Sequence, residues 1–567
     1  MTSRVRHRNA LLGLLACACG PGHLGELPGT DGQGGTGDDS SGVANGESGD
    51  EPPRMWSTII LNVPKEIDVL VVVDDSGSMG PWQGRLAAAG ESVTQLLEAE
   101  DVDASYRFAF TTTDVGNPAC GGTSSERGAF VASSCVERLE DFTRDGIDAS
   151  ATACQAVCAH DTIAMLPTAT ELDPTLVPRP WIERTEGGAN VAVDMGEAFA
   201  CLAPQGIAGC GFTSPLEAAT LALARARDPE DPAYGFLRER ASLFVVVVTD
   251  GHDCSYEVDS DAIFRHPDDC PNGELCTQVF WTDPDGAVPT PGLCWNAGVG
   301  CTGAEPGPDG TTVFESCEVA DKGLDGAPSD AEGAVLVPVS RYADVLWEIR
   351  QEKSWLGGPV ELIAIAGYPI GEELPLEFAT SSDLAEQLEY GIAPTCGNAD
   401  GVAVPPVRLH EVVSDDDDGD FRYSICSDDY APAFNHLANT VRDQIRPACV
   451  PQCAADREPS TPTLEVDCEV REQTPYPNET IDVEIPSCSP DGQLPSSEVD
   501  TCWIALVDRE ASTADDDDDL SEYCVEQGSN LEVRLVRRPG HPAVGGTNVE
   551  ISCARSSTPE LDCPGLE

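Results

Sequence analysis

Residues 67–80 read IDVLVVVDDSGSMG, an apolar run that ends abruptly in two acids, two serines and two glycines. Six of the seven residues from 67 to 73 are branched and apolar, without the alternation of a strand that has one face in water. Such a run is typical of a strand buried on both faces of a parallel sheet. The stretch therefore predicts a central strand that carries a cluster of oxygen atoms at its end.

Further apolar runs follow the first, and helical patterns separate them. The predicted strands are 68–73, 106–111, 243–249 and 361–366, and the predicted helices are 83–99, 191–201, 215–227, 341–353 and 431–445. Ser214 and Pro215 mark the start of one helix, because serine caps helices and proline suits the first turn. This alternation predicts a doubly wound, Rossmann-like α/β domain over 57–448.

The α/β domain is predicted to carry long insertions and to be followed by a smaller domain. Residues 114–189, 253–335 and 368–425 are too long for ordinary loops and are rich in cysteine, proline and glycine, which predicts disulfide-rich surface insertions. From 449 to 567, short alternating stretches such as TIDVEIPSC (480–488) are separated by turn residues. This pattern predicts a small disulfide-rich all-β domain.

Residues 1–19 have the composition of a lipoprotein signal peptide. Arginines precede the apolar stretch ALLGLLA (10–16), which is too short to span a bilayer. LLAC (14–17) resembles a bacterial lipobox, which implies lipid attachment at Cys17, with Cys19 as the alternative. Residues 20–56 are rich in glycine, serine and aspartate and are predicted to form a flexible acidic tether. Ala18 is not the aspartate that commonly retains lipoproteins at the inner membrane, which favours the outer membrane and leaves the face open.

Charge and cysteine content narrow the classes of partner and compartment. The chain has 99 acidic and 32 basic side chains, a net charge of −67. Nucleic acid is a poor candidate partner because phosphate binding needs a basic patch, and contact with a membrane is expected only through the lipid anchor. The 24 cysteines favour disulfides in an exported protein. Pairs close in sequence are the natural candidates, although spacing cannot establish connectivity: 120 with 135, 201 with 210, 270 with 276, 294 with 301, and 502 with 524.

The polar end of the first strand has the chemistry of a cation site. Asp74, Ser76 and Ser78 form the pattern D-x-S-x-S, and Gly77 eases the turn between the serines. In an open α/β sheet, ligands bind at the carboxyl ends of the strands. Carboxylate and hydroxyl oxygens suit Mg²⁺, Mn²⁺ or Ca²⁺ and not zinc or copper.

These residues resemble the metal-ion-dependent adhesion site of von Willebrand factor type A (vWA) domains. D-x-S-x-S follows the first strand, TDG (249–251) follows the strand LFVVVV, and GFTSPLEAA (211–219) is similar to the family's threonine loop and helix. The resemblance covers roughly residues 65–446 and is closest to bacterial cysteine-rich vWA lipoproteins. It implies that Ser76, Ser78 and Thr213 bind Mg²⁺ directly, with Mn²⁺ or Ca²⁺ as alternatives, and that Asp74 and Asp250 act through bound water.

A second segment also resembles the threonine loop. GGAN (187–190) precedes a helical pattern, but Ala189 stands where the family has threonine. If this segment were the true equivalent, the metal site would lack one ligand. We favour Thr213, because its helix leads directly into the next apolar strand.

The resemblance implies a membrane-anchored, extracytoplasmic binding or adhesion protein without catalytic turnover. The metal would bind an acidic side chain of a protein partner. Two alternatives are a structural envelope protein with a degenerate metal site and a hydrolase whose site lies in the insertions. His252, Asp253 and Cys254 follow Asp250 and invite a catalytic interpretation, but we expect Cys254 to form a disulfide.

Overall fold

The computed structural model describes most of the chain from residue 54 onward. The described residues are 54–59, 66–99, 104–185, 187–270, 276–354, 359–371, 375–413, 421–444, 448–450, 453–457, 465–476, 479–489, 492–496, 499–507, 520–521, 524–525, 529–538 and 548–559. The predicted signal peptide, Cys17 and nearly all of the predicted tether lie outside them. No helix among the described residues has the length and hydropathy needed to cross a membrane.

The chain contains many short strands and nine helices within the described residues. The strands are β1 (Arg54–Ile59), β2 (Glu66–Val73), β3 (Ser105–Thr112), β4 (Thr143–Arg144), β5 (Ile147–Asp148), β6 (Pro167–Thr168), β7 (Val177–Pro178), β8 (Ile182–Thr185), β9 (Gly188–Ala189), β10 (Ser242–Val248), β11 (Val299–Thr302), β12 (Glu305–Pro306), β13 (Thr312–Phe314), β14 (Ser316–Val319), β15 (Val360–Ala366), β16 (Phe378–Ala379), β17 (Cys396–Gly397), β18 (Val402–Ala403), β19 (Arg422–Ser424), β20 (Ala448–Cys449), β21 (Cys468–Tyr476), β22 (Glu479–Ile485), β23 (Thr501–Leu506), β24 (Glu532–Arg537) and β25 (Asn548–Ala554). The helices are α1 (Gly80–Ala88), α2 (Gly90–Leu97), α3 (Met195–Leu202), α4 (Pro215–Arg225), α5 (Gly292–Gly298), α6 (Val339–Ser354), α7 (Leu384–Tyr390), α8 (Val407–Val413) and α9 (Ala431–Gln444).

A seven-stranded sheet organises the α/β part of the chain. Its order is β19-β15-β10-β2-β3-β8-β9, and the first five of these strands are parallel. Every residue of β10 is buried, so both faces of the sheet are covered, as the continuous apolar runs predict. The structure therefore confirms the mixed α/β class and the four predicted strands.

Helices cover this sheet in two groups. One group contains α1, α2, α3 and α9, and the other contains α4, α6 and α8. The predicted helix 83–99 is divided in two at Ala89, between α1 and α2, although Ala89 itself keeps right-handed helical angles (φ −72°, ψ −17°). A Cβ on Gly90 would lie 2.6 Å from the ring of Phe199, so glycine is needed where α2 meets α3.

The insertions contribute to the central sheet, which differs from their prediction as surface decoration. Strands β8 and β9 lie within 114–189; β8 pairs antiparallel with β3, and β9 pairs antiparallel with β8. Strand β19 lies within 368–425 and pairs with β15. These strands are only two to four residues long. Their period is too short to be recognised in the sequence, and tertiary pairing stabilises them.

The C-terminal residues form antiparallel sheets, in agreement with the predicted β texture. One sheet has the order β1-β25-β21-β22, and another has the order β20-β24-β23. The predicted domain boundaries differ from the structure here, because β1 (Arg54–Ile59) pairs with β25 along its whole length. Residues 54–56 therefore belong to a strand of the C-terminal sheet, not to a tether, and residues 57–59 do not begin the α/β domain.

Disulfides join distant parts of the chain more often than close neighbours. The pairing of Cys270 with Cys276 is as predicted, whereas the other predicted neighbour pairs are wrong. The other bridges between two described residues join 120 with 210, 135 with 154, 158 with 201, 254 with 294, 301 with 317, 396 with 426, 449 with 524, 468 with 553, and 488 with 502. Spacing failed because pairing needs Cα atoms within about 7 Å, which only the fold determines.

Candidate metal centre

The predicted metal site lies where β2 and β10 end side by side. Residue Val73 of β2 is paired with Val248 of β10, and the Asp74 amide donates to the Val248 carbonyl at 2.9 Å. The D-x-S-x-S loop thus leaves the sheet next to the segment that contains Asp250. The parallel pairing, and not sequence proximity, brings the two halves of the site together.

Asp74 is fully buried at the start of the loop. Its Oδ1 accepts a hydrogen bond from the Ser76 amide at 2.8 Å, and its Oδ2 accepts one from Thr249 Oγ1 at 2.6 Å. Burial raises the pKa of the Asp74 carboxyl, and the hydrogen bonds from Thr249 and Ser76 partly oppose that rise. Both oxygens are therefore held in fixed orientations by the loop and by β10.

The two serines of the motif point towards each other across the turn. Ser76 Oγ and Ser78 Oγ lie 3.4 Å apart. Ser76 is buried, whereas Ser78 is exposed. One serine of the motif thus lies inside the protein, and the other lies at its surface.

Asp250 supplies a second buried carboxylate on the β10 side. Its Oδ2 accepts a hydrogen bond from Trp82 Nε1 at 3.2 Å. Burial is the main cause that raises the pKa of Asp250 to about 7, and the charge of Asp74 adds to it. In the part of the chain that the structure describes, no arginine, lysine or histidine forms an ion pair with Asp74 or Asp250.

Thr213 lies in the same small space as Asp74. A Cβ placed on Gly251 would lie 3.3 Å from Thr213 Oγ1 and 3.8 Å from Asp74 Oδ2. The Thr213 hydroxyl donates to the His252 carbonyl at 2.8 Å, and the Thr213 carbonyl accepts from the Cys254 amide at 2.7 Å. Gly251 thus lies beside oxygens of two different loops, and a side chain at this position would crowd Thr213.

Ala189, the alternative to Thr213, lies elsewhere. It is exposed and belongs to β9, the edge strand beyond β3 and β8. Three strand spacings separate β9 from β2, a distance of about 14 Å across the sheet. The structure therefore brings Thr213, and not Ala189, together with Asp74 and Asp250.

Three supporting residues were not predicted from the sequence. Trp82 donates a hydrogen bond to Asp250, Thr249 donates one to Asp74, and Gln83 donates one to the backbone of the D-x-S-x-S loop. Gln83 is fully buried; its amide donates to the carbonyls of Asp74 and Gly206 at 2.8 and 2.7 Å. The sequence signal that could have identified two of them is a tryptophan and a glutamine in the first helical turns after the D-x-S-x-S loop.

Asp75 is a further buried acid, and its side chain lies against Gly209 and Thr113. Burial raises its pKa well above the usual value, and the charges of Asp114, Asp74 and Glu126 raise it further. Its carbonyl accepts from the Gly209 amide at 2.9 Å. A Cβ on Gly209 would lie 2.0 Å from Asp75 Oδ2, so the carboxyl packs directly against the glycine.

We expect Gly209→Ala to weaken metal binding and destabilise the protein by about 1 to 3 kcal/mol, the usual cost of overpacking a filled site. The new methyl group would displace Asp75 and with it the loop between Asp74 and Ser76. Thermal unfolding with and without Mg²⁺ would measure both effects. Gly121→Ala is the control, because nothing lies within 4 Å of a Cβ at that position; equal behaviour of the two variants would contradict the prediction.

The donor set fits a hard divalent cation. It consists of two carboxylates and three hydroxyls on three loops, and Mg²⁺, Mn²⁺ and Ca²⁺ prefer oxygen ligands. The residues that the structure describes contain no cluster of three or more His, Cys, Asp or Glu side chains able to hold a metal. A site here would thus depend on hydroxyl ligands, which are less charged than carboxylates.

The residues that follow Asp250 have structural contacts. Asp253 accepts from the Leu216 amide at 3.3 Å, at the start of α4, and from buried Arg408 at 3.0 Å. Cys254 is disulfide-bonded, as predicted. Ser214 occupies the N-cap position of α4, but its side chain accepts no capping hydrogen bond, so the predicted serine cap is wrong. Asp253 takes over that function.

His252 is buried beneath the site and remains neutral near pH 7. Its Nε2 lies 2.9 Å from the Tyr390 carbonyl, and its ring packs against Trp295 with centroids 5.3 Å apart. Burial lowers the pKa of His252 to about 4, against the smaller opposing effect of hydrogen bonds to backbone carbonyls. These contacts give it a packing function beneath the site.

No protein-family model and no curated protein matches the chain. Solved structures similar to it include two forms of the pilus adhesin SpaC from Lactobacillus rhamnosus GG, at 9% and 10% identity and a TM-score of 0.27; each match covers 89% of this chain and 41% or 42% of SpaC. The pilus adhesin RrgA from Streptococcus pneumoniae matches at 8% identity and a TM-score of 0.23, covering 89% of this chain and 57% of RrgA. The chain thus spans less than two thirds of these adhesins, and scores this low support no assignment.

Proposed function

We propose that the chain contains a vWA domain with a metal-ion-dependent adhesion site that binds an acidic group of a protein partner. Mg²⁺ would be held by Ser76, Ser78 and Thr213, with Asp74 and Asp250 acting through water. The observation that carries this proposal is that Thr213 Oγ1 and Asp74 Oδ2, from two different loops, both lie beside Gly251. Mn²⁺ or Ca²⁺ could replace Mg²⁺ with the same ligands.

Electrostatics support a cation at this place. Two carboxylates buried close together are costly when ionised, and no basic side chain of the described residues pairs with them. A divalent cation would compensate their charge without filling the site with protein. Because the direct ligands would be neutral hydroxyls, the ion would retain positive charge with which to bind a carboxylate from outside.

The proposed setting is the outside of a membrane. The ten disulfides between described residues indicate an oxidising compartment. Lipid attachment at Cys17 and the acidic tether would hold the folded part away from the bilayer. The outer membrane is the proposed location, because Ala18 is not the aspartate that commonly retains lipoproteins at the inner membrane. Binding without catalytic turnover is the function that these features favour together.

We expect EDTA to lower the temperature of thermal unfolding and to abolish capture of a partner from the native envelope, relative to Mg²⁺. A ligand at one hundred times its dissociation constant stabilises the native state by about 3 kcal/mol. Asp74→Ala should remove the difference between EDTA and Mg²⁺. Asp344→Ala, an exposed acid on α6, is the matched control and should retain that difference.

Insensitivity of the unchanged protein to both EDTA and Asp74→Ala would contradict the proposal. That result would favour a structural envelope protein with a degenerate metal site. Loss of stability in Asp74→Ala with no response of the unchanged protein to Mg²⁺ would also count against metal binding, because it would assign Asp74 a structural function alone.

A further inference from the structure

A hairpin from the first insertion places an arginine against the proposed metal loop. Strands β4 and β5 pair directly, and Asp145 and Gly146 form the turn between them with φ of 51° and 84°. Positive φ at both positions is typical of the tight turns that join such strands. Arg144 pairs with Ile147 and directly precedes this turn, so the backbone of the hairpin determines its position.

Arg144 packs over the centre of the D-x-S-x-S motif. A Cβ on Gly77 would lie 3.8 Å from Arg144 Cδ, so the aliphatic part of the arginine covers the turn between the two serines. The guanidinium donates to the Gly209 carbonyl, and the Gly209 amide in turn donates to the Asp75 carbonyl at 2.9 Å. Arg144 is therefore held beside the loop by the same segment that supports Asp75.

Among the described residues, Arg144 forms its ion pair outside the buried acids of the site. Its ion pair among the described residues is with Asp145, at 3.6 Å, and the Asp145 side chain is 88% exposed. Ion pairs this exposed contribute little energy and exchange readily. The Arg144 side chain itself is 32% exposed, so its guanidinium can contact a molecule bound at the exposed Ser78.

An acidic partner needs local positive charge on this protein. The chain has a net charge of −67, which repels acidic molecules over distances of about a Debye length. A metal ion would supply one local attraction, and Arg144, on the neighbouring hairpin, supplies another beside the same loop. Arginine is also suited to carboxylates, because its planar donors form two parallel hydrogen bonds with them.

We propose that Arg144 is a specificity residue that binds a second carboxylate of the partner. This inference rests on the proposed metal-dependent function. The partner would be a protein segment with two neighbouring acidic side chains: one carboxylate would bind the metal and the other would bind Arg144. Segments with a single acid would bind the metal alone and more weakly.

Two synthetic peptides test this proposal with the full-length protein and Mn²⁺. The first, acetyl-GGEGG-amide, carries one carboxylate, and the second, acetyl-GEGEG-amide, carries two. Without an Arg144 contact, the second peptide should bind about twice as tightly, because it has two equivalent acids. With the contact we expect a preference of about tenfold or more, which corresponds to one charge-assisted hydrogen-bonded pair. Calorimetry or fluorescence anisotropy would measure the ratio.

Variants separate recognition from structure. Arg144→Gln should reduce the preference to about twofold and leave both the Mn²⁺-induced rise in unfolding temperature and the affinity for the one-acid peptide unchanged. Asp145→Asn removes a competing carboxylate at a φ that asparagine tolerates, and should raise affinity for the two-acid peptide about twofold. Arg227→Gln, which removes the exposed arginine of the Arg227–Glu352 pair, is the control and should change neither peptide's affinity.

Each outcome decides one of the two proposals. A preference of about twofold in the unchanged protein, or one that survives Arg144→Gln, would overturn the function of Arg144 while metal-dependent binding stands. Loss of the Mn²⁺ response in Arg144→Gln would assign Arg144 to support of the loop and would also overturn it. Absence of any Mn²⁺-dependent peptide binding by the unchanged protein would reject the metal-dependent function and this inference with it.

Discussion

Asp250→Asn is expected to make the metal-free protein more stable and to abolish its response to Mg²⁺. A carboxyl with a pKa of about 7 in the native state and 3.8 unfolded opposes folding when it ionises. At pH 8 we expect removal of that charge to raise the free energy of unfolding by about 2 to 4 kcal/mol. Asparagine retains an oxygen that can accept the hydrogen bond from Trp82.

The sign of the pH dependence follows from the same shift. Because the native pKa of Asp250 is raised, its contribution to stability is present below pH 3.8 and is lost as the pH rises to about 7. His252 acts in the opposite direction, because its pKa is lowered to about 4 and its contribution is lost as the pH falls below 6.5. The unchanged protein and the Asp250→Asn variant both contain His252. The difference between their pH-dependent free energies of unfolding therefore isolates the contribution of Asp250.

Denaturant titrations from pH 4 to 8, in EDTA and in Mg²⁺, would measure this effect. In EDTA, the free energy of unfolding of Asp250→Asn should increase relative to that of the unchanged protein as the pH rises. In Mg²⁺ the order should reverse, since only the unchanged protein can bind the ion with its full donor set. A variant that is less stable at pH 8 in EDTA would show that Asp250 stabilises the native state without any cation, contrary to our interpretation.

Asp68→Ala is expected to destabilise the protein by about 3 to 5 kcal/mol, the usual cost of leaving one partner of a buried ion pair alone. Asp68 is the polar residue within the apolar run of β2 and is fully buried. Its Oδ1 accepts from Arg238 Nε at 2.8 Å and its Oδ2 from the Arg238 amide at 2.7 Å. Without the Asp68 carboxylate, buried Arg238 would keep only the partly exposed Glu66, at 3.5 Å, as an ion-pair partner among the described residues.

Thermal and denaturant unfolding would check this loss of stability. Glu352→Ala removes one partner of an exposed ion pair, Arg227 with Glu352, and should change stability by less than about 1 kcal/mol. Asp68→Ala combined with Arg238→Met should recover much of the loss, because the buried guanidinium that has lost its closest carboxylate is removed as well. Equal losses in the single and double variants would indicate that the space left by Asp68, and not the charge of Arg238, sets the cost.

The strands with long, continuous apolar runs could be predicted from the sequence. The runs that became β2, β10 and β15 are apolar at nearly every position, and few other structures accommodate such runs, whereas β3 has a shorter apolar stretch around Phe108 and Phe110. Strands β8, β9 and β19 have too few residues to show a period. Strand β1 lies 489 residues before the start of its partner β25, from Ile59 to Asn548, so no local pattern could assign it to the C-terminal sheet.

The sequence by itself determined one half of the candidate site, the D-x-S-x-S loop at the end of an apolar strand, because those residues are adjacent and their chemistry can be recognised from their types alone. Tertiary structure decided the other half. Thr213 and Asp74 both lie beside Gly251, Ala189 lies in the edge strand β9, and Arg144 packs against Gly77. These are contacts between residues far apart in the chain, and their distances depend on strand order, disulfide pairing and close packing that no local pattern encodes.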